Sequence, residues 1–421
     1  MDDFGFDADM AGGNDYVTGY EQFMSLSYED LTCQQASTGG QCDYEELETG
    51  TRVGIPIERP RGRRRQIPPV RNLDRPLRIV CLGPSFQLGG VGQQTLSLAR
   101  YFNPDRARIT RCLVTRDDAE GHKRLAGMGI PVETATPSRL ERAAEDAEIF
   151  LLWGDHFDRT LPQRRPTCVF VAHGESAWTR QGLERSRGVV DHVIAVSERV
   201  RGRVCGGFET TTILNGIDPS RLAATRPRQA VRRSLGIRRD EFLVGCVGRM
   251  TQEKQMERLI SAVALLPRSF KLLLVGSGSR RTELVERASD LIPGRFVIVR
   301  PNDHLGDLYR AMDAFAFPSA HEGFGLVVAE AMACRVPVVA TCVGAVPEII
   351  ENNVSGMVVD SSPEAFADAM KKLAKFPHWA AGMARQAHAF ALRRLVARRM
   401  ASDYETLLSR LVAAKTAAQT A

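Results

Sequence analysis

Two glutamates, Glu322 and Glu330, stand eight residues apart in PSAHEGFGLVVAEAMACRVPVVAT, with Gly323 and Gly325 freeing the backbone between them. A helix beginning near Phe324 would aim the unpaired N–H groups of Phe324, Gly325 and Leu326 at whatever lies between the acids, and a phosphate belongs there. A carboxylate separation on the order of 10 Å lets one acid reach a sugar and the other a ribose across a diphosphate. An acid on an exposed helix face needs no function, yet Glu330 falls inside the apolar run LVVAEAMA, where an unpaired charge is costly. Arg249 and Lys254, in VGRMTQEKQ, put two cations on one strand-to-helix turn and suit a diphosphate; alone, the pair reads equally as solvated surface. The loop GPSFQLGGVGQQ offers Gly89, Gly90 and Gly92 ahead of a helix N-terminus. Its spacing is neither the dinucleotide fingerprint nor a Walker loop, so by itself a structural turn is the stronger reading. VGSGSRR either lines the same cleft or merely turns the chain. His173, in VAHGE, is a lone histidine of the kind that is commonly structural, but its place at a strand's carboxyl end favours a role.

The elements that must position these residues follow from the patterning. From Leu77 onward short apolar runs alternate with amphipathic stretches, which is the βαβ grammar of a parallel sheet. Strands are expected over 78–82, 149–153, 168–172 and 192–196, with a helix over 93–102, and TTILNGID reads as a last strand and turn. The polar run TRPRQAVRR reads as an interdomain hinge. A second series follows, with strands over 242–247, 271–275, 295–299, 314–317, 336–340 and 357–359. Helices are expected over 256–266, 280–291, 325–333 and 363–375, and the chain beyond His378 reads as one long helical region. The expected class is α/β, two doubly wound Rossmann-like units, and ligands of such sheets bind beyond the carboxyl ends of the strands. The expected divisions are a tail over 1–76, an N-terminal domain over 77–222, a C-terminal domain over 223–395 and a closing helix over 396–421.

The chain has 421 residues, 43% hydrophobic and 25% charged, which excludes a fibrous protein and allows two or three domains. Residues 1–50 hold twelve acids and no Lys or Arg, and residues 51–76 hold eight Arg against two acids. Without sustained periodicity this tail reads as a disordered extension. The remaining basic surplus lies in the C-terminal half and suits an anionic ligand. No apolar run reaches the ~18 residues of a membrane span, and the acidic start does not read as a signal peptide. Nine cysteines without a CxxC pair spell no zinc site and fit a reducing compartment, so a cytoplasmic protein is expected.

Taken in order, GGVGQQ, SERV, LNGID, GR(x4)K from Gly248 to Lys254, the E-x7-E run from Glu322 to Glu330, and VPEIIENNVSGMVV resemble the retaining glycosyltransferases of family four. The resemblance covers residues 77 to about 400. It implies the GT-B fold, with an N-terminal acceptor domain and a C-terminal donor domain facing across a cleft. A nucleoside diphosphate sugar would serve as donor, and no cofactor or metal would be required. By the same resemblance Arg249 and Lys254 hold the diphosphate, Glu330 binds the ribose, and Glu322 contacts the transferred sugar. The N–H groups of Phe324, Gly325 and Leu326 cradle phosphate, His173 lies near the sugar, and Gly90 lies against the donor. Retention is attributed to same-face attack, a leaving-phosphate oxygen taking the acceptor proton. The chain departs from the family at Gln255, where glycine is usual, and in PNDHLGDLYRAMDAF. The acceptor, whether glycan, lipid, small molecule or peptide, is unspecified; peripheral membrane contact is compatible with this reading and nucleic acid is not expected. The competing readings are an inactive scaffold on the same fold, a nucleotide-sugar epimerase, or a phosphorylase, for which nothing marks a cofactor lysine.

Overall fold

The computed structural model describes residues 75–86, 89–116, 119–154, 161–162, 165–300 and 304–420. The acidic and Arg/Pro-rich tail up to residue 74, and with it the expectation of disorder there, lies outside the described residues, as do Asp117 and Asp118.

Mostly apolar runs such as LRIVCLG and FKLLLV are satisfied as strands covered on both faces, and they form two parallel sheets. The first contains β1 (Leu77–Gly83), β2 (Ala107–Val114), β3 (Val132–Thr134), β4 (Ile149–Leu152), β5 (Thr167–Ala172), β6 (His192–Ala195) and β7 (Thr210–Thr212), in the order β3-β2-β1-β4-β5-β6-β7. The second contains β8 (Phe242–Val247), β9 (Phe270–Val275), β10 (Phe296–Val299), β11 (Ala314–Phe317), β12 (Val338–Thr341) and β13 (Met357–Val359), in the order β10-β9-β8-β11-β12-β13. Each sheet is therefore doubly wound, as expected. The chain works outward from the central strand, then returns to its other side, leaving a switch point between β1 and β4 and another between β8 and β11.

The helices that bear on the site are α1 (Gly90–Tyr101), α2 (Ala119–Ala126), α3 (Pro137–Asp146), α4 (Ala177–Arg185) and α5 (Glu198–Val204) around the first sheet. Around the second are α6 (Arg228–Ser234), α7 (Glu257–Ala264), α8 (Arg281–Leu291), α9 (Leu305–Ala311), α10 (Leu326–Ala333), α11 (Val346–Ile349), α12 (Pro363–Lys375) and α13 (Pro377–Arg394). Side-chain caps fix several starts: Thr136, Ser176, Ser197 and Ser362 each accept a hydrogen bond from a backbone N–H of the first turn.

One expectation changes. The run expected to be a polar hinge carries α6, because Arg232 is buried and answered. Its guanidinium donates to the carbonyls of Ala311, Arg238 and Glu241, and it pairs with Asp313 at 2.9 Å. The long C-terminal helical region breaks at Leu395 and restarts as α14 (Ala397–Thr420). At the break the two segments that cross between the sheets bond to each other, Ile217 N–H donating to Leu395 O at 2.8 Å and Ala397 N–H to Ile217 O at 2.7 Å. Gly216 makes that crossing possible, since a Cβ there would lie 2.5 Å from Ala397 Cα. Beyond it α14 packs on α1, where Gln94 donates to Tyr404 Oη at 2.9 Å and to Asn215 Oδ1 at 2.8 Å.

Candidate active site

The loops that leave the strands flanking the second switch point meet. Lys254 lies in a short 3₁₀ turn after β8, and Glu322 lies in the loop after β11. Their side chains form an ion pair whose members are only 15% and 17% exposed, so the charge is held inside the crevice. The backbone reinforces the contact: Ala320 N–H donates to Glu253 O at 2.8 Å. Arg249, by contrast, turns to Glu253 at 3.0 Å and is 48% exposed, so of the two cations only Lys254 stands beside Glu322 in this structure.

Residue 255 follows the turn in the left-handed region, φ 47° and ψ 39°, which is why glycine suits the position. Here it is Gln255, and its buried Oε1 has no hydrogen-bond partner.

Helix α10 starts at Leu326, two residues later than expected, with Gly325 as its N-cap at φ 91°. The carbonyl of Phe324 is taken by Ala345 N–H, which fastens the loop below the helix start. The opening amides of α10 have no partner within the helix, and they carry the positive end of its dipole. Beside them is the start of α1. A methyl group built on Gly90 would lie 3.9 Å from Leu326 Cδ1, so the starts of two helices, one from each sheet, lie close together. That arrangement concentrates N–H donors on a space suited to an anion.

His173 directly follows β5 and reaches the same loop. A Cβ on Gly323 would lie 1.7 Å from His173 O, so only glycine lets the two backbones approach. Ser197 locks the approach by donating from Oγ to Gly323 O at 2.9 Å while it caps α5. Desolvation pushes the His173 imidazole down to about 3, so it is neutral at physiological pH.

Glu330 lies on α10, one turn beyond Leu326. Tyr309, fully buried on α9, donates from Oη to Glu330 Oε2 at 2.8 Å. Burial pushes the Glu330 carboxyl up, and the tyrosine hydroxyl and the Arg221 charge act against that rise. A cavity of about 220 Å3 adjoins Glu330, Leu326 and Leu305 on one side and Gln93 and Ser97 of α1 on the other.

The structure thus gathers Lys254, Glu322, His173, Gly90, Phe324, Gly325 and Leu326 around one crevice, with Glu330 a turn away and Arg249 at its edge. Tyr309, Ser197 and Arg199 were missed. Arg199 bonds Glu175 at 2.7 Å and offers its N–H to Glu348 across the same junction. The SERV element marks two of the three in the sequence, but nothing local announces a buried tyrosine that answers Glu330.

Comparison with known proteins places this geometry among relatives. Residues 227–389 match the family model described as "Glycosyl transferases group 1". The lipopolysaccharide core biosynthesis mannosyltransferase LpsB of Rhizobium meliloti (strain 1021) is 32% identical over 272 residues, 59% of this chain and 75% of that protein. The D-inositol 3-phosphate glycosyltransferase of Rhodococcus opacus (strain B4) is 34% identical over 220 residues, 46% of this chain and 49% of that protein, so the chain spans about half of that relative's length. Among solved structures, Anabaena HepE in complex with UDP-glucose is 25% identical with a TM-score of 0.70, covering 79% of this chain and 100% of that one. Sucrose-phosphate synthase from Thermosynechococcus elongatus shares the fold at a TM-score of 0.62 and 20% identity, over 80% of this chain and 100% of that one.

Proposed function

This chain belongs to the group 1 glycosyl transferases and has the GT-B fold, and from that membership we propose that it transfers a sugar from a nucleoside diphosphate sugar with retention of configuration. The observation that carries the reading is the Lys254–Glu322 pair beside the neighbouring starts of α1 and α10. The solved structure of HepE with UDP-glucose supports the donor class.

In this reading the diphosphate lies between the two helix starts. As the glycosidic bond ionises toward an oxocarbenium-like transition state, negative charge grows on the leaving phosphate. Lys254 and the amides at Gly325 and Leu326 stabilise that growth, and Arg249 joins them by exchanging Glu253 for phosphate. Such preorganised contacts are each worth about 2.7–4 kcal/mol. Donor binding also releases Glu322 from Lys254 to take the sugar hydroxyls. Glu330, oriented by Tyr309, takes the ribose. Neutral His173 offers a hydrogen bond to the sugar without placing a cation beside the developing oxocarbenium. The acceptor oxygen attacks from the face the diphosphate leaves, and a phosphate oxygen takes its proton, so no protein nucleophile is needed.

In this scheme Lys254, Arg249 and the helix amides supply the positive charge that the leaving diphosphate needs, so the reading calls for no metal or resident cofactor. Six of the described cysteines, Cys81, Cys112, Cys168, Cys205, Cys246 and Cys334, are buried free thiols, which supports a reducing compartment. No helix among the described residues is long and apolar enough to cross a membrane.

The test is a panel of nucleotide sugars followed by nucleoside diphosphate release and by thermal stabilisation. At least one donor should stabilise the protein and be turned over. Stabilisation without turnover across acceptors would favour a scaffold, and neither effect with any donor would overturn the reading.

A further inference from the structure

Beyond the donor crevice, a second cavity of about 350 Å3 opens between α1, α2 and the turn at 218–221. Along α1 the residues Gln93, Leu96, Ser97 and Arg100 recur at helical spacing and form one wall, while the last turn of α2 and the loop after it form another. Among the described residues of the lining, Arg100, Lys123 and Arg221 face a single carboxylate, Asp218.

That carboxylate is already spent. Asp218 accepts from Arg100 at 2.7 Å, from Tyr101 Oη at 2.7 Å, and from Ser220 N–H and Oγ at 3.0 and 2.6 Å. Only Arg100 among these cations draws on it. Among the described residues neither Lys123 nor Arg221 makes an ion pair, and both side chains stand at the cavity with charge to offer.

The cations come from three separate elements and converge on one concave space. Like charges gathered around a concave space repel one another, and a bound anion relieves that repulsion. Leu96 and Met128, the latter 40% exposed, give the same cavity an apolar margin.

We propose that this cavity binds a phosphomonoester, its dianionic group held by Lys123 and Arg221 and its organic part seated on Leu96 and Met128. A phosphate monoester near neutrality carries about −1.5 to −2 charges and three acceptor oxygens, which matches several convergent donors better than a carboxylate does. The site is distinct from the donor's. Arg100 lies ten residues along α1 from Gly90, about 15 Å at helical rise, so a ligand there does not touch the reacting carbon. It does adjoin the Glu330 end of the donor crevice, with which it shares Gln93, Ser97, Asp218 and Arg221.

The experiment titrates the full chain, saturated with UDP to fill the donor crevice, with glycerol 3-phosphate, inorganic phosphate and glycerol by calorimetry. Lys123→Glu and Lys123→Arg are run beside the unaltered protein. Glycerol 3-phosphate should bind, glycerol should not, and Lys123→Glu should weaken binding at least about tenfold while Lys123→Arg retains it. Raising salt from about 50 to about 300 mM should weaken it too. A flotation arm with vesicles containing phosphatidate tells the source of the phosphate: capture lost in Lys123→Glu assigns a lipid-borne monoester, and capture absent while glycerol 3-phosphate binds assigns a soluble one. Binding of neither probe, or equal binding by Lys123→Glu, overturns the proposal. UDP affinity is measured separately in the same variants, so a failure to bind UDP counts against the donor reading and leaves the phosphomonoester test to be run on the unsaturated protein.

Discussion

Ser197 Oγ donates a 2.9 Å hydrogen bond to the carbonyl of Gly323, from the cap of a helix on the first sheet to the loop that carries Glu322 on the second. Ser197 is fully buried, so this hydroxyl binds the two halves of the crevice in a place water does not reach. It therefore sets where Glu322 stands relative to His173.

Ser197→Ala leaves the Gly323 carbonyl buried and unanswered, at a cost of about 1–3 kcal/mol. We expect turnover to fall by about tenfold with nucleoside diphosphate affinity changed less than about threefold, because the phosphate contacts lie on other residues. Ser197→Thr, which keeps the hydroxyl, should recover part of the loss. Equal losses in turnover and affinity would assign Ser197 a purely structural part.

Gln255 occupies a left-handed conformation with an unanswered side-chain oxygen. Gln255→Gly relieves about 1–2 kcal/mol of backbone strain and returns about 0.5–1 kcal/mol as unfolded-chain entropy. The midpoint of denaturant unfolding should rise by the equivalent of up to about 1 kcal/mol. A lower midpoint would show that the Gln255 side chain supports the turn.

Arg232 has a side chain 2% exposed and depends on Asp313, which also accepts from Leu243 N–H at 2.7 Å. Asp313→Ala leaves a buried guanidinium without its anion, and unfolding free energy should drop by about 3–5 kcal/mol. A loss below about 1 kcal/mol would mean that the three carbonyls around Arg232 suffice.

His173 is held neutral by desolvation, its pKa lowered from 6.5 to about 3. The rate against pH should show no limb near 6.5 that depends on this residue. The linkage has a definite sign: below 6.5 the unfolded chain takes up a proton that the native state refuses, so stability falls as pH drops from 6.5 toward 3. His173→Gln should flatten that fall in thermal midpoint. A limb at 6.5 that vanishes in His173→Gln would show a histidine titrating normally in the crevice.

The second sheet was legible because its strands are short runs made mostly of apolar residues. FLVGCV, FKLLLV and AFAF each reveal a buried parallel strand without help from the rest of the chain. β2 was not legible: Arg108 and Arg111 interrupt ARITRCLV, and with them the first half of the strand is only partly buried. α6 was hidden for the opposite reason, since its arginines read as solvent-facing until Asp313, far along the chain, is seen to answer Arg232. Of the crevice, the spacing of Glu322, Glu330, Arg249 and Lys254 could be read directly. That Lys254 rather than Arg249 meets Glu322, and that Tyr309 answers Glu330, depends on where separate loops arrive.

The central claim is that a nucleoside diphosphate rests between the starts of α1 and α10 beside Lys254. Calorimetric titration of UDP, GDP and ADP into the unaltered protein and into Lys254→Ala tests it most directly. The account predicts that one nucleotide binds the unaltered chain and binds Lys254→Ala about a hundredfold more weakly. Equal affinity in the two proteins, or no affinity for any of the three in either, would contradict it.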